Sequence, residues 1–289
     1  MKKIDINTYR MKLRLMVFIM FCMMISLSAK SQPNYDCDNY LRNGLPKNMA
    51  VNNENPRRYR IITDYFNKDI FGHFFNKYRV TGIYTRGLGN GQVSWANVHV
   101  AESMVQDADF GPGTPLPYME EFTYVPGENM VLAESFEGFP ANGIYAKNLV
   151  WDVMAFEAFA WVYFDSLELN KVFYATEINQ KVDLAGEGTF ENKNIKLLWT
   201  GISKMNDKVC AVIEYITMDN PLEVKNEMFD MKGRSHYWGT IWVSLEDKHI
   251  EHGIMYEDVM MEMKMPSQAG PQMINATREI VIEKLNTEL

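Results

Sequence analysis

Apolar and polar residues alternate most regularly in the stretch from Gly233 to Met265. Two alternating runs flank a short charged segment, Glu246-Asp247-Lys248. Alternation with a period of two on both sides of such a turn predicts an antiparallel hairpin. The first strand carries Tyr237, Gly239, Ile241, Val243 and Leu245 on one face, and His236, Trp238, Thr240, Trp242 and Ser244 on the other.

Shorter runs rich in β-branched and aromatic residues predict further strands in both halves of the chain. Gly87–Gly91 lacks the spacing of a dinucleotide loop and precedes a strand-like run, so we interpret it as a hairpin turn. The Gly- and Pro-rich stretch 111–117 predicts a loop outside the sheet. The expected strands lie on both sides of the glycine turn within 81–103, and at 118–125, 130–136, 195–203, 208–217, 228–233 and 278–285.

Two segments have helical patterns. Asn55-Pro56 is a typical helix start, and apolar residues follow at roughly helical spacing until Gly82. The second segment, Leu149–Leu169, is apolar nearly all round, which predicts a buried helix.

The N-terminus has the three parts of a secretory signal peptide. Basic residues precede an apolar run, Leu15–Leu27, which is shorter than the ~20 residues of a transmembrane helix. Cleavage after Ser31 would leave Gln32 as the first residue of a periplasmic or extracellular protein. Met1 and Met11 are both candidate start sites.

Removal of residues 1–31 takes away six basic side chains and one acidic side chain, which changes the formal net charge from −8 to −13. Such an acidic chain, without a cluster of Lys and Arg, has no electrostatic attraction for phosphate backbones. The composition therefore argues against nucleic-acid binding.

Two cysteines, Cys37 and Cys210, remain after this cleavage. In an oxidising compartment they could form a disulfide. Alternatively both thiols stay free, with Cys210 as a small core residue of a strand.

These elements predict an α+β fold, mainly antiparallel β, in which a curved, half-barrel-like meander packs on one or two apolar helices. Residues 32–55 are expected to be a flexible lead-in, and 56–289 a single β-rich domain with a candidate sub-boundary near 137–148. An exported chain with an apolar helix before an antiparallel meander resembles the lipoprotein carriers of the LolA, LolB and LppX type. This resemblance covers about 118–285 and implies helices over the concave side of the sheet and binding of acyl chains.

Three side chains are candidates for acid–base catalysis: Asp152, Glu157 and His236. The two carboxylates lie about 140° apart around the predicted helix, so they need not share a face. Burial would raise a carboxyl pKa, as a general acid requires. Alternatively, each carboxylate bonds a side chain of a strand and only orients the helix.

The candidate ligand-binding residues are Trp238, Trp242, Trp151 and Met255. Trp238 and Trp242 share one strand face, and they would either line a ligand cavity or belong to the core. Methionine adds an adaptable apolar surface.

His249, Glu251 and His252 are residue types that bind zinc. In a strand, however, the first two point one way and His252 points the other, so a solvated turn is the alternative. The chain has no P-loop, CxxC, EF-hand or G-x-S-x-G motif, and no cofactor is predicted.

The sequence thus predicts an exported, non-enzymatic binding or carrier protein that holds an apolar or amphipathic small molecule between its sheet and the helix Leu149–Leu169. The second hypothesis is a secreted enzyme that uses cavity carboxylates and His236 as general acid or base on a small-molecule or carbohydrate substrate. The third is a structural component of a surface complex with a membrane or protein partner. An exposed apolar patch in place of a closed pocket would favour this third hypothesis.

Overall fold

The computed structural model describes residues 37–53, 55–141, 143–225, 230–265 and 270–285. The predicted signal peptide lies outside these residues, and Cys37–Leu289 forms one compact unit. The helices are α1 (Cys37–Asn43) and α2 (Ile144–Trp161). The strands are β1 (Arg57–Asp69), β2 (Phe74–Arg86), β3 (Val93–Ser103), β4 (Thr114–Pro115), β5 (Thr123–Tyr124), β6 (Val172–Tyr174), β7 (Lys181–Asp183), β8 (Gly188–Glu191), β9 (Lys196–Met205), β10 (Lys208–Lys225), β11 (Asp230–Ser244), β12 (Ile250–Lys264) and β13 (Gln272–Lys284).

The strands form one open antiparallel sheet, in the order β4-β3-β2-β1-β13-β12-β11-β10-β8-β7. β5 pairs with β3, and β9 pairs with both β10 and β6. The first and last strands pair from Tyr59↔Lys284 to Asp69↔Ile274, which joins the two halves of the chain in one sheet. The predicted fold class is confirmed: a curved, mainly antiparallel sheet packs on a helix.

The hairpin predicted near the C-terminus is formed by β11 and β12, which pair from Asp230↔Lys264 to Val243↔Ile250. The register shifts between Trp242 and Val243, so that Glu251 is an extra residue on β12. Because of this bulge, the residues of β12 after Glu251 point to the face opposite to the one that uninterrupted alternation from Ile250 predicts.

The helix predicted from Asn55-Pro56 to Gly82 is wrong, because this segment forms the β1–β2 hairpin. Burial along β1 alternates with a period of two. The aromatic and β-branched residues of this segment suit a pleated surface, and pairing with β13 on the other side favours the extended form. The buried positions of β1 are Tyr59, Ile61, Thr63 and Tyr65.

Three other local predictions are corrected. The strands expected at 118–125 and 130–136 are short 3₁₀ turns and the two-residue strand β5. The stretch predicted as a loop outside the sheet contributes β4, whose Pro115 lies opposite His99 at the end of the sheet. The strand expected at 208–217 is longer than predicted, because β10 continues to Lys225 past an irregularity between Thr217 and Asn220.

Helix α2 is buried, as predicted, although it begins and ends earlier than the apolar run suggested. We call the face of the sheet that α2 covers the inner face, and the opposite one the outer face. A Cβ atom on Gly253 would lie 2.8 Å from the ring of Phe156, so glycine allows the helix to approach β12 closely. No helix in the described ranges is long and apolar enough to cross a membrane.

Both cysteines of the described residues are free thiols, and no disulfide joins them. Cys210 is completely buried in β10, and this burial raises the pKa of its thiol to about 12. Cys210 is therefore the small core residue of the second alternative.

Candidate functional site

Asp152 of α2 forms an ion pair with Arg278 of β13, and both side chains are nearly inaccessible to solvent. A second guanidinium nitrogen of Arg278 donates to Glu257 of β12 at 2.5 Å. Ser235 of β11 donates to the other oxygen of Glu257, also at 2.5 Å. The Arg278 guanidinium lies 4.9 Å from the ring centroid of Tyr65.

Glu157 has a separate set of partners on β2. Arg86 donates to one carboxylate oxygen at 2.6 Å, and the Tyr84 hydroxyl donates to the other at 2.8 Å. The Arg86 guanidinium also lies 4.4 Å from the ring centroid of Trp161, at the end of α2. The two carboxylates, about 140° apart around α2, thus reach different strands of the sheet, β13 and β2.

Burial raises the pKa of both helix carboxyls, and the arginines oppose this shift. The pKa of Asp152 rises to about 6. Each carboxylate nevertheless has a buried arginine partner in direct contact. This arrangement matches the alternative in which a carboxylate orients the helix, and it leaves the bonded oxygens facing donors instead of a substrate.

His236 lies on the outer face, where its Nδ1 accepts a hydrogen bond from the backbone N–H of Asp219 at 3.0 Å. It is therefore separated from Asp152 and Glu157 by the sheet itself. The structure does not bring the three catalytic candidates into one site.

The candidate metal ligands are also dispersed. His249 is buried beside the Tyr59 hydroxyl, at 3.4 Å, and burial lowers its pKa. Glu251 bonds Lys284, whereas His252 lies on the outer face with its ring centroid 5.2 Å from that of Trp242. No three His, Cys, Asp or Glu side chains of the described ranges are grouped closely enough to hold a metal ion.

Trp238 and Trp242 lie on the outer face, so they neither line a cavity beside α2 nor belong to the core under it. Their neighbour Tyr237 points inward and stacks on Phe159 of α2. On the outer face, Trp238 stacks on Tyr256 of β12, with ring centroids 6.1 Å apart. The two side chains are 42% and 38% exposed.

The other two candidate ligand-binding residues lie elsewhere. Trp151 donates its indole N–H to the carbonyl of Met130 at 2.9 Å, and its ring meets the edge of Phe136. Met255 is buried on the inner face of β12. The helix–sheet interface where the sequence predicted a ligand is filled by buried side chains of α2: Leu149, Val150, Val153, Phe156, Phe159 and Ala160.

No protein-family model matches this chain. No curated protein matches it either.

A polar cleft of about 490 Å³ lies away from α2, where β7 and β8 meet the ends of β10, β11 and β12. Its lining contains lysines next to carboxylates, such as Lys232 with Glu223 at 2.6 Å. Three of the four lysines in the lining pair with its three carboxylates, so the described lining keeps one net positive charge, at Lys181. One lysine is too little to select a ligand class.

Sequence analysis missed Arg278, Arg86 and Tyr256. The sequence does contain a signal for Arg278. Buried apolar residues recur at every second position of β13, at Ala276, Ile280 and Ile282, and Arg278 stands at a position of the same series. A charged residue in the phase of the core predicts a buried ion pair. Tyr256 carried no such signal, since the bulge in β12 determines which face it occupies.

Proposed function

We propose that the protein is a non-enzymatic, exported component of a surface complex and binds a protein partner on the outer face of its sheet. The observation that carries this proposal is the exposed stack of Trp238 on Tyr256, on the face that α2 leaves uncovered. Large aromatic side chains left half exposed on an uncovered sheet face are typical of interaction surfaces.

The composition of the outer face supports a protein partner. Tryptophan, tyrosine and methionine are enriched at the centres of protein interfaces, and charged groups surround them. Ion pairs flank the aromatic stack, including Arg234 with Asp219 at 3.1 Å. The exposed apolar residues of this face are Ile216, Met218, Trp238, Tyr256, Met260 and Met273, and half-buried Trp242, Ile254, Val281 and Ile62 extend the surface across β10–β13 and β1.

The packing of the inner face favours the surface-complex hypothesis over the carrier and the enzyme hypotheses. A carrier needs space for its ligand, and buried side chains such as Val153 and Phe156 occupy the space between helix and sheet. An acid–base enzyme needs accessible titrating groups, and Asp152 and Glu157 each bond a buried arginine. Export remains a proposal that rests on the pattern of residues 1–31.

A photo-crosslinking amino acid at position 238 tests the proposal in the cells that make the protein. We expect one discrete protein adduct from position 238 and none from position 174, where Tyr174 is at least as exposed but lies in β6. The partner is then identified by mass spectrometry and purified. Its affinity should fall about 30-fold or more in the variant W238A/Y256A, because an aromatic hot spot contributes at least ~2 kcal/mol.

Two results would contradict this function. One is the absence of a discrete protein adduct at position 238, or an equal adduct at position 174. The other is an amphiphile that co-purifies with the wild type and is lost from W238A/Y256A, which would support the carrier hypothesis with its ligand on the outer face.

A further inference from the structure

Exposed apolar side chains are concentrated where the β1–β2 hairpin turns and β3 ends. Phe71 is 80% exposed, Met104 67% and Val105 60%. Ile70 and Phe75 are exposed at the same end of the sheet. We call this set of five residues the apolar tip.

The strand register brings the two parts of the apolar tip together. Lys77 of β2 lies opposite Ser103 of β3. Phe75 precedes Lys77 by two residues, and Val105 follows Ser103 by two. Because β2 and β3 are antiparallel, Phe75 and Val105 therefore lie at the same end of this strand pair. The Lys77 ammonium also donates to the carbonyl of Gln106 at 2.8 Å, which holds the second segment against β2.

Defined turns hold these side chains outward. One carboxylate oxygen of Asp69 accepts hydrogen bonds from the backbone N–H groups of Phe71 and His73, at 2.8 and 2.9 Å. Gly72 has φ +87°, which glycine adopts without strain. In the second segment, the Ser103 hydroxyl accepts from the backbone N–H of Val105 at 3.2 Å. Local turn chemistry thus presents the apolar side chains without packing them against the sheet.

We propose that the apolar tip inserts into the interfacial region of a lipid bilayer. Ile70 and Phe71 lie in the hairpin turn, Met104 and Val105 lie in the bend after β3, and Phe75 lies at the start of β2. A bilayer can close around side chains at such an end of a sheet on all sides. A protein partner would instead need a matching cavity. At about 200 Å² for a fully exposed large side chain, the exposed parts amount to roughly 600 Å². Transfer of this apolar area from water into the boundary of headgroups and acyl chains is the driving force for insertion.

The charges near the apolar tip determine which lipid it binds. The carboxylates of Asp69 and Glu102 lie beneath the turns, and the segment after Val105 adds exposed Asp107 and Asp109. His73 pairs with Asp69, and the Lys77 ammonium is bound to backbone carbonyls. Lys68 also lies beside the turn, but the four carboxylates outnumber the two lysines. Anionic lipid headgroups are therefore not attracted, and insertion depends on apolar burial, which salt does not screen.

The apolar tip shares no side chain with the outer-face stack of Trp238 and Tyr256. Its binding to lipid therefore goes beyond the proposed function, and either can fail without the other.

Flotation with phosphatidylcholine vesicles tests the insertion. The mature protein, isolated from the cells that make it, is used after a cooperative melting transition has been verified. The wild type should float with the vesicles, equally at about 0.1 M and about 1 M NaCl. The variant F71S/M104S should partition at least about tenfold less, because two large apolar side chains no longer enter the bilayer.

Two matched variants accompany this measurement. V162S/Y174S removes side chains that are 58% and 60% exposed in another part of the molecule, and it should float like the wild type. W238A/Y256A should also float, which separates the apolar tip from the outer face. F71S/M104S and V162S/Y174S should melt like the wild type, since the changed side chains are solvent-exposed. W238A/Y256A should keep a cooperative melting transition.

The proposal is overturned if the wild type does not float with phosphatidylcholine, or if F71S/M104S floats as well as the wild type. Flotation only with anionic vesicles, and its loss at high salt, would also overturn it. Self-association of the wild type without vesicle binding, abolished in F71S/M104S, would identify the apolar tip as a protein contact instead.

Discussion

Arg278 on the last strand of the sheet bonds Asp152 on the central helix, and this ion pair is buried at 11% and 9% side-chain exposure. The same guanidinium bonds Glu257 on the neighbouring strand. One positive charge therefore compensates two buried carboxyl groups and connects α2 to β12 and β13. Glu157 and Arg86 make an equivalent connection between α2 and β2.

Replacement of Arg278 by methionine should strongly destabilise the protein. The change leaves Asp152 and Glu257 buried without a counter-charge, and breaking a buried pair typically costs about 3–5 kcal/mol. The free energy of unfolding by urea gives this loss directly. Arg234→Met is the matched control, because Arg234 forms an exposed pair with Asp219 and should contribute less than about 1 kcal/mol. Equal losses in both variants would contradict the role assigned to Arg278.

The stability contributed by Asp152 should depend on pH between 3.8 and 6. Burial, opposed by Arg278, raises the pKa of this carboxyl from its usual 3.8 to about 6, so the folded protein holds the proton more tightly than the unfolded chain. The contribution is therefore complete below pH 3.8 and is lost as the pH rises through 6. The unfolding free energy of the wild type minus that of Asp152→Asn should decrease between these limits by on the order of 2 kcal/mol. A difference that stays constant with pH would show that Asp152 does not titrate in this range.

Substitution of Glu157 by glutamine should lower stability, in line with a structural role. The amide keeps the shape of the carboxylate but has one acceptor oxygen for the two donors Tyr84 and Arg86. A buried donor left without an acceptor costs about 1–3 kcal/mol. Thermal or urea unfolding measures the loss, and Glu137→Gln on the exposed surface is the control. A Glu157→Gln protein with normal melting that lost turnover on a glycan, ester or lipid substrate would support the enzyme hypothesis instead.

The tryptophans should divide into two classes when each is replaced by alanine. Trp199 is 1% exposed, and its removal from the core should cost about 3–5 kcal/mol. Trp238 is half exposed on the outer face, so Trp238→Ala should cost less than about 1 kcal/mol. Urea unfolding of the two variants distinguishes these classes, and a large loss for Trp238→Ala would show that this residue belongs to the core.

The mature protein should begin near Gln32 and be found outside the cytoplasm. A basic segment, a short apolar run and small residues in this order direct export and cleavage. N-terminal sequencing of the protein from its own cells checks this expectation. An intact terminus at Met1 or Met11 would show that cleavage does not occur.

The sequence determined the elements whose pattern is unambiguous over a long stretch. The alternation across β11 and β12 predicted their hairpin, and the apolar circumference of α2 predicted its burial. Its prediction of a helix from Asn55-Pro56 to Gly82 was wrong, because the aromatic residues there satisfy both periods approximately. In the folded protein, the extended form of this segment is stabilised by pairing of β1 with β13, which lies more than 200 residues later in the chain.

Only the tertiary structure decided which side chains face each other. The sequence singled out Asp152 and Glu157 as carboxylates in an apolar helix, but their arginine partners lie on β13 and β2, far away in the chain. Similarly, the alternation predicted that Trp238 and Tyr237 point to opposite faces, but not which face α2 covers. A strand with large side chains on both faces can pack a helix against either of them. The position of α2 resolves this choice, so Tyr237 becomes core and Trp238 remains exposed beside Tyr256.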